Sequence, residues 1–380
     1  MNNGELPGLY IHTPFCRSKC IYCDFYSVAS RTMVPAWLEA IRAEMKLYGK
    51  DFPVFDTLFL GGGTPSVLEE RELALLFESI RKHFSFGPDA EMTMEANPES
   101  LSKEKLDAVA RFGVNRMSLG VQSLDDTDLQ YLGRAHDGAR ALRALRECRE
   151  AGFGNVSVDL IYGLETQTLA SWKKTLDLLL EFRPEHISCY ELTFSPSTPL
   201  GKRKESGRVR PIGEKMEAAF FIWTSRYLKR HGYHHYEVSN FSLGQENMCR
   251  HNRKYWRHVP YLGLGPSAHS FAAGPGAQTR ARRWWNVLSL REYCRLLGEG
   301  KAPVSGFEEL TSEQFDLETL DLGLRTEEGV DIGFLEHFSK DQRVLALWRK
   351  SGLVRVSEGR VRPTRKGFLV ADSLALMMSK

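Results

Sequence analysis

Cys16, Cys20 and Cys23 stand in a run that reads LYIHTPFCRSKCIYCDF from Leu9 to Phe25, three thiols at CxxxCxxC spacing directly after an apolar, β-prone segment. Thiolates this close together suit a metal centre, and iron-sulfur clusters are held by cysteines at such spacings. A 4Fe-4S cubane with three protein ligands keeps one iron open for an exchangeable ligand. A structural zinc site is closed by four ligands, and the next cysteine, Cys148, lies far down the chain. Zinc is thus the alternative reading. Three unrelated core cysteines fit less well, since Pro14, Arg17, Ser18 and Lys19 read as loop.

Elements able to position such a loop are legible around it. Strand-like segments at 9–15, 57–60, 91–95, 117–121, 156–162 and 187–192 alternate with charged amphipathic runs such as 37–48 and 171–182. This βα rhythm predicts a parallel sheet. Six units, with the alternation failing after 234–241, predict an α/β fold: a partial (β/α)6, TIM-like barrel with a laterally open mouth. Chemistry in such barrels collects at the C-terminal ends of the strands. After the second strand comes Gly61-Gly62-Gly63-Thr64-Pro65, whose backbone can approach a ligand closely and offer amides and carbonyls to an amine or carboxylate. The third strand ends at Glu95-Ala96-Asn97-Pro98 and the fourth at Gly120-Val121-Gln122-Ser123, while the fifth carries Asp159. Singly, each is as readily a helix cap or loop hydrogen-bonder. In register with a cysteine loop they read as one site.

The chain of 380 residues, 42% hydrophobic, has room for one large and one small domain. Seven cysteines, three of them in one loop, argue against a disulfide framework and for a reducing compartment. The first residues lack a basic and apolar leader pattern, and no stretch reaches membrane-spanning length without charge, so a cytoplasmic location is expected. A net charge of +3 is too balanced to imply nucleic acid.

Together the cysteine motif, GGGTP, EANP and GVQS resemble the radical S-adenosylmethionine enzymes, and more narrowly the oxygen-independent coproporphyrinogen III oxidase family. The resemblance implies a 4Fe-4S cluster on Cys16, Cys20 and Cys23, with Tyr10 beside it. The open iron would be chelated by the amino and carboxylate groups of S-adenosylmethionine. It further implies that Gly62, Gly63 and Thr64 meet the methionyl end and Glu95 the cofactor's polar groups. In the oxidase, positions matching Gln122, Arg134 (in Gly133-Arg134-Ala135-His136) and Asp159 help bind a second S-adenosylmethionine, which leaves one such molecule or two for this chain. Two departures count against the oxidase itself. The oxidase carries a further cysteine where this chain has Asp24-Phe25, and an N-terminal extension where it has eight residues before the first strand. His251-Asn252-Arg253-Lys254-Tyr255-Trp256 instead matches the HNxxYW pattern of the heme-chaperone (HemW-like) branch.

An imidazole is a competent axial ligand to heme iron, and Tyr255 and Trp256 offer flat apolar surface for a macrocycle. Arg250, Arg253, Lys254 and Arg257 are expected to pair with its propionates. A lone histidine beside aromatics is also commonly a hydrogen-bonded structural residue. Cys249 and His269 are second and third candidates for heme contact, and 280–285 is a further basic and aromatic patch.

The last third reads as a helical module with a small wing. A capping-box pattern at Thr311-Ser312-Glu313-Gln314 opens a helix to 324, a hairpin spans 353–363 around Ser357-Glu358-Gly359, and 368–378 forms a closing helix. The expected organisation is a radical core over 1–242, a connecting segment with the HNxxYW motif over 243–305, and a winged-helix-like domain over 306–380. Arg355, Arg360, Arg362, Arg365 and Lys366 there read as a solvated or partner-docking face rather than a DNA-binding one. The function implied by the resemblance is a chaperone that binds heme and delivers it to an acceptor apo-hemoprotein, free or at a membrane, as monomer or homodimer and without nucleic acid. The alternative is a radical oxidoreductase acting on a porphyrin, either the oxidase or an anaerobic heme-modifying enzyme.

Overall fold

Along the first six strands, alternate residues are buried apolar side chains, and that alternation organises the molecule. In the computed structural model, which describes residues 5–273, 281–338 and 342–378, these strands are β1 (Gly8–Thr13), β2 (Val54–Gly62), β3 (Ser85–Ala96), β4 (Arg116–Gln122), β5 (Val156–Tyr162) and β6 (His186–Glu191). Each pairs in parallel with the next. Leu9, Ile11, Leu58, Leu60, Met94, Leu119, Val158 and Ile187 turn outward into a core completed by Trp37, Ile41, Leu73, Leu76, Leu106, Leu145 and Leu176 of the covering helices. The residues between them turn inward. The α/β partial barrel expected from the sequence is the fold the chain adopts, with the predicted strands present and longer or shorter by a few residues.

The sheet extends at both edges. On one side β6 pairs antiparallel with β8 (Asn240–Leu243), which pairs with β7 (Tyr233–His235). On the other, β9 (Tyr261–Leu264) adds parallel to β1, and antiparallel β10 (His269–Ala272), β11 (Arg282–Asn286) and β12 (Val304–Glu309) follow. The segment expected as a connector therefore supplies three strands and the start of a fourth. They are short, and Gly263 and the paired Trp284-Trp285 blur any two-residue period.

Glu44 ties this added sheet to the barrel. Its carboxylate accepts from Gly265 N (2.8 Å), Asn286 Nδ2 (2.6 Å) and the Tyr293 hydroxyl (2.5 Å), and burial pushes its carboxyl up to about 7. The native state thus holds a proton that the unfolded chain, with the ordinary value of 4.5, has released. Glu44 then costs stability as pH rises from about 4.5 to 7, by ~3 kcal/mol across that window, and no further above it. Glu44→Gln is expected to flatten this part of the pH profile: urea unfolding at pH 5 and pH 8 should differ less in the variant than in wild type. Equal slopes would refute the assignment.

Beyond 311 a second, smaller core forms. The helix Ser312–Gly323 opens with the capping box read from the sequence, Thr311 and Gln314 bonding reciprocally. Strands β13 (Val330–Asp331), β14 (Val354–Ser357) and β15 (Arg360–Pro363) make a separate sheet in the order β13-β15-β14. Leu320, Leu324, Leu335, Trp348, Val354, Val361 and Leu374 pack together there. Of the basic residues noted in this region, Arg360 donates to the carbonyls of Glu328 and Gly329, and Arg362 pairs with Glu358. In the 280–285 patch, Arg283 pairs with Glu308 and Glu318 and Arg282 lies over Phe307, while Arg280 lies outside the described residues. Among the described residues, no helix is long and apolar enough to cross a membrane.

Candidate functional site

Strand register arranges the inward side chains in rows. Thr57 and Glu91 form the lowest, at the strands' N-terminal side, with Gly8 beside them. Tyr10, Phe59, Thr93 and Arg116 form the next. Above these come His12, Gly61, Glu95 and Ser118, continuing through Ser157 to His186, and then Gly120, Asp159 and Ser188. Successive rows lie roughly 7 Å apart, two strand residues each. The enclosed cavity is about 620 Å³, and all twelve residues singled out from the sequence line it: Tyr10, Cys16, Cys20, Cys23, Gly62, Gly63, Thr64, Glu95, Gln122, Arg134, Asp159 and His251. The cysteines stand at its upper rim and His251 at its floor.

The cysteine loop leaves β1 and is held without its thiols. Cys16 N bonds Val28 O (3.0 Å), and Val28 N bonds Pro14 O (2.8 Å). His12, below the loop, donates from Nε2 to Tyr26 O (2.8 Å) and accepts at Nδ1 from the Tyr10 hydroxyl (3.1 Å). Burial pulls His12 down to about 4, so it stays neutral in this role. The three thiols are free and half-buried. Arg134 Nη1 lies 3.3 Å from Cys20 Sγ, and the Thr64 hydroxyl 3.5 Å from Cys16 Sγ. Burial pushes Cys23 up to about 11, a cost that a metal cation offsets by binding the thiolate. Among the described residues no three His, Cys, Asp or Glu side chains converge on a single ion. A cubane asks for something else, one thiolate per iron around a void, and three half-buried thiols with hydrogen-bond donors on two of the sulfurs fit that demand.

The triglycine loop corrects one expectation. Its amides are not free for a ligand: Gly62 N donates to Glu95 Oε2 (3.2 Å), Gly63 N to Thr13 O (2.8 Å) and Thr64 N to Phe15 O (2.7 Å). The loop needs glycine because it lies flush against the cysteine loop. Gly62 also has φ +102°, which only glycine adopts readily. Groups left facing the cavity are the Glu95 and Asp159 carboxyls and Gln122, whose side chain has no hydrogen-bond partner among the described residues. Gln122 itself sits at φ 66°, where the β4–β5 register shifts. Burial, reinforced by Asp159, pushes Glu95 up to about 8. Burial also raises Asp159, against the hydroxyls of Ser188 and Ser118. Arg134 joins the strand ends, its Nη2 donating to Asn97 Oδ1 (2.6 Å) and Gly120 O (2.8 Å).

At the floor, the short helix Arg250–Trp256 closes the barrel from below. Glu91 accepts from Arg250 N (3.0 Å) and His251 N (3.0 Å), fixing the helix start. His251, 1% exposed, lies between Thr57 Oγ1 (2.8 Å from Nδ1) and the Tyr255 hydroxyl (2.9 Å from Nε2), and stacks on Phe59. Burial drives it down to about 3 and raises Tyr255 well above the phenolic range. Both partners are hydroxyls that can donate or accept, so the ring fits either tautomer; the one with Tyr255 donating to Nε2 and the Nδ1 proton bonded to Thr57 is the one a metal-binding Nε2 requires.

The four cations expected to meet propionates are spent elsewhere. Arg250 bonds Asp89 O and Asp56, Lys254 pairs with Asp56 at 2.7 Å, and Arg253 and Arg257 share Glu328. They lie on the helix face turned from the cavity, where carboxylates of the barrel base and the C-terminal module reach them. Cys249 is buried against Glu91 and His269 stacks on Trp285; neither lines the cavity. Trp256 is also absent from the lining. Sequence reasoning missed His12, Thr57 and Arg116. The signal was present, for each is a polar residue at an inward position of a strand whose outward positions are apolar.

The Radical SAM superfamily model matches residues 10–179. The chain is 34% identical over 378 residues to the Heme chaperone HemW of Mycobacterium tuberculosis, covering 98% of this chain and 94% of that one. It is 34% identical to the Heme chaperone HemW of Bacillus subtilis, covering 97% and 98%. It is also 33% identical to the mitochondrial Radical S-adenosyl methionine domain-containing protein 1 of Bos taurus, covering 98% and 87%. Among solved structures, coproporphyrinogen III oxidase (HemN) from Escherichia coli superposes with a TM-score of 0.83 at 24% identity, covering 99% of this chain and 91% of that one, a likeness of fold.

Proposed function

The chain belongs to the HemW family of heme chaperones within the radical S-adenosylmethionine superfamily, and from that premise we propose that it binds heme in the cytoplasm and hands it to an apo-hemoprotein. The full-length identity to HemW proteins carries this reading. In it, Cys16, Cys20 and Cys23 hold a 4Fe-4S cluster, and Tyr10, Gly62, Gly63, Thr64, Glu95, Gln122, Arg134 and Asp159 surround S-adenosylmethionine. The cluster, when bound, supplies an electron-transfer centre with one iron open to the cofactor's amino and carboxylate groups. The protein supplies the rest. Arg134 places a positive charge beside Cys20 and ties the loop to Asn97 and Gly120, and Glu95 and Asp159 offer acceptors in the barrel cavity.

His251 is the proposed heme ligand. Three features support it: a neutral ring, an Nε2 whose hydrogen-bond neighbour is the Tyr255 hydroxyl, and Thr57 beside Nδ1. Phe59 and Tyr10 beside the ring give a macrocycle apolar contact. The test is a heme titration followed by absorbance, with His251→Ala against wild type. The variant is expected to lose at least tenfold in affinity, with thermal melts checking that the unpaired Thr57 and Tyr255 have not unfolded the floor. A variant with the wild-type heme spectrum and affinity would remove His251 as ligand. Turnover of coproporphyrinogen III with release of deoxyadenosine would overturn the chaperone reading.

A further inference from the structure

One charge inside the barrel has no hydrogen-bonded partner among the described residues. Arg116, the first residue of β4, is 1% exposed, and its side chain lines the cavity. Its Nε is buried without a hydrogen-bond partner, and among the described residues no hydrogen bond or ion pair engages its guanidinium. Burial disfavours the cation, and the nearby Glu91 and Asp159 offset that cost through their field without hydrogen-bonding the guanidinium. The carboxylates whose field reaches it are otherwise employed: Glu91 caps the floor helix, and Asp159 takes the hydroxyls of Ser118 and Ser188. Glu95, in the row above, accepts from Gly62 N. Arginine presents a planar fork of donors that matches a carboxylate.

Position narrows the choice of carboxylate. Arg116 shares its row with Tyr10 and Phe59, the rings flanking His251, and stands one row above Thr57. It lies below Glu95 and well below the cysteine rim. The four basic residues of the HNRKYW helix are occupied outside the cavity, so they do not compete for this role.

We propose that Arg116 is the anchor for a propionate of the porphyrin that enters the barrel, a deepening that rests on the heme reading above. The anchored acid orients the macrocycle toward His251, while the remainder of the cavity stays open to the cluster end.

The experiment compares affinities of the reconstituted full chain for heme and for heme dimethyl ester, in one detergent-containing buffer, for wild type, Arg116→Met and Arg116→Lys. Losing one partner of a buried charge pair predicts that wild type prefers the free acid by roughly 30-fold or more. Arg116→Met should abolish that preference, and Arg116→Lys, which keeps the charge, should retain part of it. The ester comparison on wild type needs no variant, so poor folding of either substitution does not spoil it. Equal binding of acid and ester by wild type would overturn the anchor and leave heme binding standing. Binding of neither would overturn both. S-adenosylmethionine binding is measured in parallel: a loss there in Arg116→Met with the heme preference intact would assign the guanidinium to that cofactor's carboxylate and refute the proposal.

Discussion

Alanine in place of Cys16, Cys20 or Cys23 is expected to abolish the cluster while leaving the fold in place. Each thiolate takes a different iron, so losing one leaves a cubane with two protein ligands and an additional exposed iron. Iron and acid-labile sulfide on anaerobically reconstituted protein should then fall from about four per chain to background. The fold should survive because the loop is fixed by backbone and side chains that the substitutions spare: Cys16 N to Val28 O, His12 to Tyr26 O, and Leu200 N to Ile21 O. The half-buried thiols make no core, so unfolding midpoints of the metal-free variants should match metal-free wild type. Cys148→Ala is the control, since Cys148 is fully buried in the outer core and away from the cavity. Full iron content in any one of the three rim variants would mean that the substituted cysteine is not a required ligand of the centre.

Why the rim was legible and the floor less so follows from how each is built. A cluster needs several thiols on one short loop, so its signature is local and survives in one dimension. The inward strand ends were legible for a related reason: β strands alternate, and polar residues at inward positions of apolar strands advertise a lined cavity. The floor is assembled from residues far apart in sequence. His251 meets Thr57 and Glu91 across 194 and 160 residues of sequence, and nothing local announces those pairings. The basic neighbours of His251 show the same limit. As a string, Arg250, Arg253, Lys254 and Arg257 look like a propionate site, yet tertiary partners as distant as Asp56 and Glu328 claim them. The unclaimed cation, Arg116, sits at a strand start where a charge looks peripheral. Likewise the edge strands β9 to β12 owe their existence to the open flank of β1, since their own sequences alternate too weakly to declare them.

Gly63→Ala is expected to empty the cluster site with every ligand intact. A methyl group at Gly63 would lie 2.6 Å from Phe15 O and 2.7 Å from Thr13 O, both backbone atoms of the segment leading into the cysteine loop. Side chains could rotate away; carbonyls in a bonded strand end cannot. The two loops must therefore separate, and separation gives up Gly63 N to Thr13 O and Thr64 N to Phe15 O. Overpacking costs ~1–3 kcal/mol, and each of the two lost bonds adds ~1 kcal/mol, so chemical denaturation should register a loss of about 3–5 kcal/mol. The displaced loop carries Cys16, whose sulfur the Thr64 hydroxyl approaches from the same turn. Iron per chain should accordingly drop well below wild type although Cys16, Cys20 and Cys23 are unchanged. Gly154→Ala, where nothing lies within 4 Å of an added methyl, should alter neither quantity. Wild-type stability and full iron content in Gly63→Ala would mean that the triglycine loop is not what holds the cysteines in place. The contact between these two turns would then be incidental to the site, and the glycines would need another explanation, namely direct approach of a ligand to their backbone.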